Sequence, residues 1–242
     1  MPIGIITNVL AVIIGGIIGA ILGNKMSADF KEKLNMIFGA SAFTMGIYSI
    51  GMMENMPAVI FSVILGTCIG MWIHLGDKIQ TGAGLMQKSV CKFLPNTSTL
   101  SQEEFDNTLI TIIVLFCASG TGIYGSIVSG MSGDHSILIA KSILDLPTAL
   151  IFACMLGIVV SFVAIPQFII FMILFLLAGV IYPLTTPVMV GDFKACGGVL
   201  LLATGFRMLK LKNFPVADMI PAMIIVMPVS WIWVEYVLPF VS

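Results

Sequence analysis

Charge is what this sequence has least of. Only 10% of its 242 residues are Asp, Glu, Lys or Arg, whereas 59% are hydrophobic and the mean hydropathy is +1.11. Soluble domains carry about 25% charged residues. A chain this poor in charge cannot cover itself with polar surface, so a soluble globular domain is excluded and a polytopic membrane protein is expected. The formal net charge is −1 and no basic tail is present, which speaks against a nucleic-acid partner. Histidine is almost absent: His74 and His135 stand far apart, and no Ser/His/Asp arrangement stands out. The five cysteines, Cys68, Cys91, Cys117, Cys154 and Cys196, form no CxxC and are odd in number. A zinc site or disulfide framework is therefore not expected, nor any cofactor, and the chain does not read as an enzyme. The N-terminus lacks the basic region of a signal peptide, so Ile3–Gly23 reads as a retained first span.

What is present is long apolar runs, of the length that crosses a bilayer as helix. Eight are expected, at about Ile3–Gly23, Leu34–Gly51, Pro57–Leu75, Thr108–Ser129, Ser136–Ile165, Phe168–Leu184, Ala195–Leu209 and Ala217–Leu238. Pro147 falls inside the fifth and predicts a kink. Pro166-Gln167 reads as a tight turn, and Thr185–Lys194 and Arg207–Pro215 as loops. The longest polar stretch is Gly76–Asn107. Its part Lys78–Leu94 reads as an interfacial amphipathic helix, broken at Pro95-Asn96-Thr97-Ser98. The fold class is all-α, a transmembrane helical bundle. Lys and Arg favour cytoplasmic connections. With both termini outside, nine of the eleven basic residues lie on that side, Lys194 lies outside and Lys141 lies within a span.

Two parts of the chain resemble each other. Asp29-Phe30-Lys31 recurs as Asp192-Phe193-Lys194, an offset of 163, and at the same offset Gly16, Ala40, Phe43, Met45 and Met56 meet Gly179, Ala203, Phe206, Met208 and Met219. Five spans separate the copies. An odd number means opposite insertion, so residues 1–75 and 166–242 read as an inverted three-span repeat within one integral membrane domain. Residues 76–107 are then a cytoplasmic connector and 108–165 a central span pair. Asp29/Lys31 and Asp192/Lys194 read as matching loop or cap chemistry.

Between the copies, polar groups interrupt apolar sequence in FCASGTGIYGSIVSGMSGDHSILIAKSILDLPT, residues 116–148. Ionisable groups inside a span cost about 2.5–3.5 kcal/mol each on insertion scales, so they are paired, wetted or functional. Lys141 and Asp145 stand at i and i+4 and share a helix face, with Ser142 about 100° round. They read either as a polar binding or proton-relay site or as a structural ion pair whose lysine snorkels to the interface. Gly120, Gly122, Gly125, Gly130 and Gly133 predict an irregular outer end to the fourth span, where backbone groups would face a substrate, or else close helix packing. Gly133-Asp134 predicts a turn. Gly15, Gly19 and Gly23, and Gly66 with Gly70, read as packing faces within or between subunits. Asn8 is the lone strongly polar residue of its span.

The pattern GSIxxGxxGDxxxLxxKSxLD, here Gly125-Ser126-Ile127, Gly130, Gly133-Asp134, Leu138, Lys141-Ser142 and Leu144-Asp145, resembles the YqgA/YdfK-like bacterial membrane proteins, domain of unknown function 554. The resemblance covers nearly the whole chain. It implies a polytopic bacterial inner-membrane protein and carries no substrate with it. Members usually have Gly after the Asp of KSxLD, whereas Leu146-Pro147 follow here.

These readings point to a small secondary transporter or channel-like permease for a small polar solute or ion. Its binding residues would be Ser126, Asp134, Lys141, Ser142 and Asp145, with Asn8 and Thr121 as outer candidates and Gly120, Gly122 and Gly125 giving backbone access. The alternative is a non-transporting scaffold or sensor that packs helices with a protein partner, the 76–107 segment serving as a docking helix. The lipid bilayer is an expected partner, and the glycine-rich faces also suit a homodimer.

Overall fold

In a computed structural model of the chain, residues 1–22, 28–93 and 101–241 are described. Their helices are, in order, α1 (Ile3–Leu22), α2 (Ala28–Ile50), α3 (Met56–Trp72), α4 (Leu75–Phe93), α5 (Gln102–Cys117), α6 (Gly120–Ser132), α7 (Ser136–Leu156), α8 (Val159–Phe162), α9 (Ala164–Ile181), α10 (Pro187–Met208), α11 (Pro221–Ile232) and α12 (Leu238–Val241). A 3-10 turn at Tyr182–Leu184 follows α9, and a π-helical segment at Trp233–Val237 joins α11 to α12. Among the described residues there is no strand, so the chain is an all-α bundle, as composition requires.

Each expected span has a helix. Among the described residues, six stretches are long and apolar enough to cross a membrane: Ile3–Leu22, Thr108–Ser132, Ser136–Leu156, Val159–Leu184, Pro187–Arg207 and Pro221–Phe240. Helix α3 has 17 residues and qualifies only together with part of α4, as a broken pair. The apolar part of α2, Met36–Ile50, is shorter still.

The boundaries differ from the sequence reading at three places. The fifth span stops at Leu156 rather than Ile165, because Gly157 adopts φ 79°, ψ −156°, a conformation open essentially only to glycine. Pro166-Gln167 is no turn: both lie in the first turn of α9, where proline's missing N–H has no intrahelical acceptor to lose. Thr185–Lys194 is mostly helix. Thr186 caps α10 by accepting a hydrogen bond from the Met189 amide, and Pro187 opens it. The glycine-rich run departs from expectation in the same way. Gly120–Ser132 is regular helix, and the fourth span is broken earlier, at Ala118-Ser119, where the Ser119 hydroxyl accepts from the Gly122 amide. Gly133 ends α6 in the left-handed region, φ 70°, so the predicted Gly133-Asp134 turn is found. Gly23, Lys25 and the Pro95–Ser98 break lie outside the described residues.

The chain divides into two compact units. The first comprises Met1–Leu34 and Asp77–Val180, the second Asn35–Gly76 and Ile181–Ser242. Each unit takes part of residues 1–75 and part of residues 166–242, so each cuts across the proposed repeat boundaries.

In the first unit, α1 packs against α7 over nearly its whole length. A Cβ at Gly15 would fall on the Leu146 carbonyl, and one at Gly19 on the Leu150 carbonyl. Small residues thus let the two backbones touch, the way helices associate where lipid offers no hydrophobic drive. Gly4 faces Leu138, Gly15 faces Leu146 and Ala149, and Gly19 faces Leu150 and Ala153. Contacts advance in one direction along both helices, so α1 and α7 run parallel. Gly130 of α6 meets Phe175 and Ala178 of α9 in the same manner. A core of Phe105, Leu109, Ile112, Phe116, Ala149, Ala153, Val160 and Val163 fills the space between these helices. Helix α4 belongs to this core. Ala83, Met86, Val90 and Cys91 pack onto it, and Gln87 Nε2 donates to Asp106 of α5 at 2.7 Å.

In the second unit, Gly66 abuts Ala222 and Gly70 abuts the Asp218 carbonyl, so α3 runs antiparallel to α11. Helices α2 and α10 also pack antiparallel through glycine. Gly39 meets Leu209 and Gly205, and Gly46 meets Gly198 and Leu202. Between these contacts the Phe43 and Phe206 rings meet edge to face, centroids 4.9 Å apart.

Candidate functional site: a buried polar chain across three helices

Helix α7 starts at Ser136, which places Lys141 about 7.5 Å along it at 1.5 Å per residue. A snorkelling lysine would run back toward the helix start and emerge. Lys141 does neither. It is 3% exposed, and its ammonium turns the other way to Asp145 Oδ2 at 2.5 Å. Phe116, the penultimate residue of α5, presents its ring 5.7 Å from the same nitrogen, within the range of a cation–π contact.

Asp145 is 6% exposed and has a second partner. Asn8, fully buried on α1, donates its Nδ2 hydrogen to Asp145 Oδ2 at 2.8 Å. The Asn8 oxygen in turn accepts from Gln167 Nε2 of α9 at 2.7 Å. A continuous chain, Lys141–Asp145–Asn8–Gln167, therefore ties α7, α1 and α9 together inside an apolar unit. It ends unsatisfied: Gln167 is fully buried, and its Oε1 has no hydrogen-bond partner among the described residues. Nearly all buried polar atoms in folded proteins are paired, and this oxygen stands out against that rule.

The other sequence-derived candidates separate from this chain. Ser142 and Ser126 are buried, but their hydroxyls donate to the carbonyls one turn back, Leu138 and Gly122, each at 2.7 Å. Thr121 is buried in the first turn of α6. Asp134 lies ahead of α7, where its Oδ1 accepts from the Ser136 amide at 3.0 Å and the Ser136 hydroxyl at 2.5 Å. Beside it, Ser129 Oγ and His135 Nδ1 are 2.7 Å apart. Gly122 and Gly125 are covered, by Phe171 and by Ile137 with Leu138, and the Gly122 amide is already bonded to Ser119. Gly120 begins α6. Only Lys141, Asp145 and Asn8 of the proposed set meet, and Gln167 joins them unannounced. Its signal was legible: it is the one strongly polar residue between Val159 and Leu184, a position that polarity alone should mark.

The second unit holds a buried carboxylate of its own. Asp192, in the second turn of α10, is fully buried. Its Oδ1 accepts from the Glu54 and Asn55 amides at 2.9 and 2.7 Å, and its Oδ2 from Asn55 Nδ2 at 3.1 Å and Ser230 Oγ at 2.6 Å. It thereby caps the N-terminus of α3, favourable for an anion, and joins α3, α10 and α11. Its sequence counterpart Asp29 is exposed and pairs with Lys33 at 2.8 Å. The two aspartates share a motif but not a role.

A helical membrane protein built from close-packed glycine faces around a buried ionic chain is the class these features define. Residues 3–231 match the family described as "Protein of unknown function (DUF554)", and the chain belongs to that family. It is 43% identical over 236 residues to the uncharacterized protein YqgA of Escherichia coli strain K12, covering 98% of this chain and 99% of that one. It is 25% identical over 228 residues to the uncharacterized membrane protein YdfK of Bacillus subtilis strain 168, covering 92% and 93%. No solved structure matches the chain.

Proposed function

We propose that this protein is a small permease of the bacterial cytoplasmic membrane, moving a small polar solute or ion through the first unit. The observation that carries the reading is the buried chain Lys141–Asp145–Asn8–Gln167 with its orphaned acceptor. An ion pair that served stability alone would be a poor investment, since apolar replacements of buried pairs are often neutral or stabilising. Ionisable residues within membrane spans are costly, and they mark solute and ion paths in pumps and transporters. The adjacent break in the fourth span, between Cys117 and Gly120, is the kind of interruption that transporters place beside their sites.

An inverted repeat accords with how α2 and α10 pack. At the 163 offset, Phe43 touches its own counterpart Phe206. Gly39 touches Leu209, the counterpart of Gly46, while Gly46 touches Leu202, the counterpart of Gly39. Reciprocal contacts of that kind are what a two-fold relation produces, and the helices are antiparallel. Eight alternating spans require one and five to be parallel and three and eight antiparallel, whichever side the termini face. Those are the directions of α1 with α7 and of α3 with α11. The docking-helix alternative loses support, because the apolar face of α4 is used against α5.

The test is flux. Purified protein in liposomes is screened with small ions, carboxylates and neutral polar solutes, beside Asp145→Asn and Lys141→Met. Uptake by the wild type that Asp145→Asn abolishes is the expected result. A folded wild type that moves nothing in the panel defeats the reading.

A further inference from the structure

The chain in the first unit offers more oxygen than Lys141 uses. Asp145 supplies a carboxylate, Asn8 an amide oxygen that accepts from Gln167, and Gln167 an amide oxygen bonded to no described donor. They come from α7, α1 and α9 and are linked by consecutive hydrogen bonds. Carboxylate and amide oxygens are the ligands of hard cations. Among the described residues no cluster of three His, Cys, Asp or Glu exists, so a transition metal finds no chelate here. A single carboxylate balances a single positive charge, which makes the fitting occupant monovalent. The Lys141 ammonium now holds the Asp145 carboxylate alone, without reaching the orphaned Gln167 oxygen.

It holds it against the grain of the helix. Side chains of an α-helix lean toward its N-terminus, yet the Lys141 ammonium bonds a carboxylate one turn in the C-terminal direction. On its flexible stem it has an alternative course toward the start of α7. From the orphaned oxygen and this tethered cation we infer that Asp145, Asn8 and Gln167 form a binding site for an alkali cation, with Lys141 as a built-in competitor that withdraws when the cation enters. The buried charge is the same before and after, because one positive charge replaces another. This deepens the permease reading, on which it rests, by naming what the site takes.

The experiment measures binding rather than flux. Full-length protein in detergent is melted in sodium, potassium or N-methylglucamine chloride at equal ionic strength, as wild type, Lys141→Met, Gln167→Leu and the double variant. The wild type should be stabilised by an alkali cation and not by N-methylglucamine. Lys141→Met should lower the half-saturating concentration roughly tenfold or more, since a tethered competitor acts at millimolar effective concentration. Gln167→Leu should raise it again in either background. A folded Lys141→Met that responds to no alkali cation overturns the inference, as does a response that Gln167→Leu leaves unchanged. Should Lys141→Met not fold, equilibrium binding of radioactive sodium and rubidium to wild type and Gln167→Leu decides. Saturable binding that the variant loses upholds the site, and no binding to the wild type removes it. Cation binding without flux in liposomes leaves the site standing and ends the permease reading. Solute flux with no cation response does the opposite.

Discussion

Replacing Asp192 by Ala should be among the most damaging single changes in the second unit, although the sequence presents this residue as the twin of an exposed loop acid. The carboxylate takes four donors: two backbone amides, the Asn55 side chain and the Ser230 hydroxyl. On its removal the Ser230 hydroxyl can turn to a carbonyl of its own helix, as Ser62 and Thr204 already do. Three donors then remain without an acceptor. Each orphaned buried donor costs about 1–3 kcal/mol, and partial relaxation at the α3 terminus brings the sum to roughly 3–6 kcal/mol. Asp192→Asn retains an oxygen for the two amides but sets an NH2 group against the Asn55 amide nitrogen, and should cost about half as much. The control is Asp29→Ala, which removes one exposed ion pair worth under about 1 kcal/mol. Unfolding of the purified protein in mixed micelles, followed by tryptophan fluorescence, ranks the three. If Asp192→Ala melts with Asp29→Ala, the capping argument is wrong, and the matching roles implied by the repeat would be right after all.

Other outcomes follow from the same geometry. Gly19→Leu should force α1 off the Leu150 carbonyl and cost at least about 1–3 kcal/mol, whereas Gly82→Ala, with open space around it, should gain roughly 0.5–1 kcal/mol. Equal effects in the same unfolding assay would refute the packing account. Gly157→Ala strains a backbone at φ 79° and should cost about 1–3 kcal/mol, while Gly84→Ala, inside α4 with only a distant methyl nearby, serves as the unstrained comparison. Lys141→Met and Asp145→Leu should each destabilise by about 3–5 kcal/mol, and the double variant by much less than their sum. Additive losses would mean that the two groups are not coupled in the folded protein.

How much was legible varies with the physics involved. The apolar helices were, because hydrophobic length is a local property, although six rather than eight stretches among the described residues are long enough to span on their own. The pairing of Lys141 with Asp145 was too, because a four-residue spacing fixes a shared helix face. The break at Ala118-Ser119 was misplaced into the glycines beyond it. Glycine in a membrane helix reports close packing as often as irregular backbone, and here Gly122, Gly125 and Gly130 each face a neighbouring helix. Gln167 was missed because Pro166 before it looked like a turn. A proline has the same appearance in a loop and in the first turn of a helix, and only the surrounding chain distinguishes them.

The sequence by itself determined that this chain is helical, that it carries membrane-spanning helices, which family it resembles, and that Lys141 and Asp145 share a helix face. Each of these depends on composition, hydrophobic run length, local spacing or the order of residues along one segment. The tertiary structure decided which way the Lys141 ammonium turns, that Asn8 and Gln167 complete its chain, and that Asp192 rather than Asp29 is buried. Among the bonds behind those outcomes, Asn8–Asp145, Asn55–Asp192 and Gln167–Asn8 join residues separated by 137 to 159 positions. They exist only because glycine faces bring distant helices into backbone contact, which no single segment encodes.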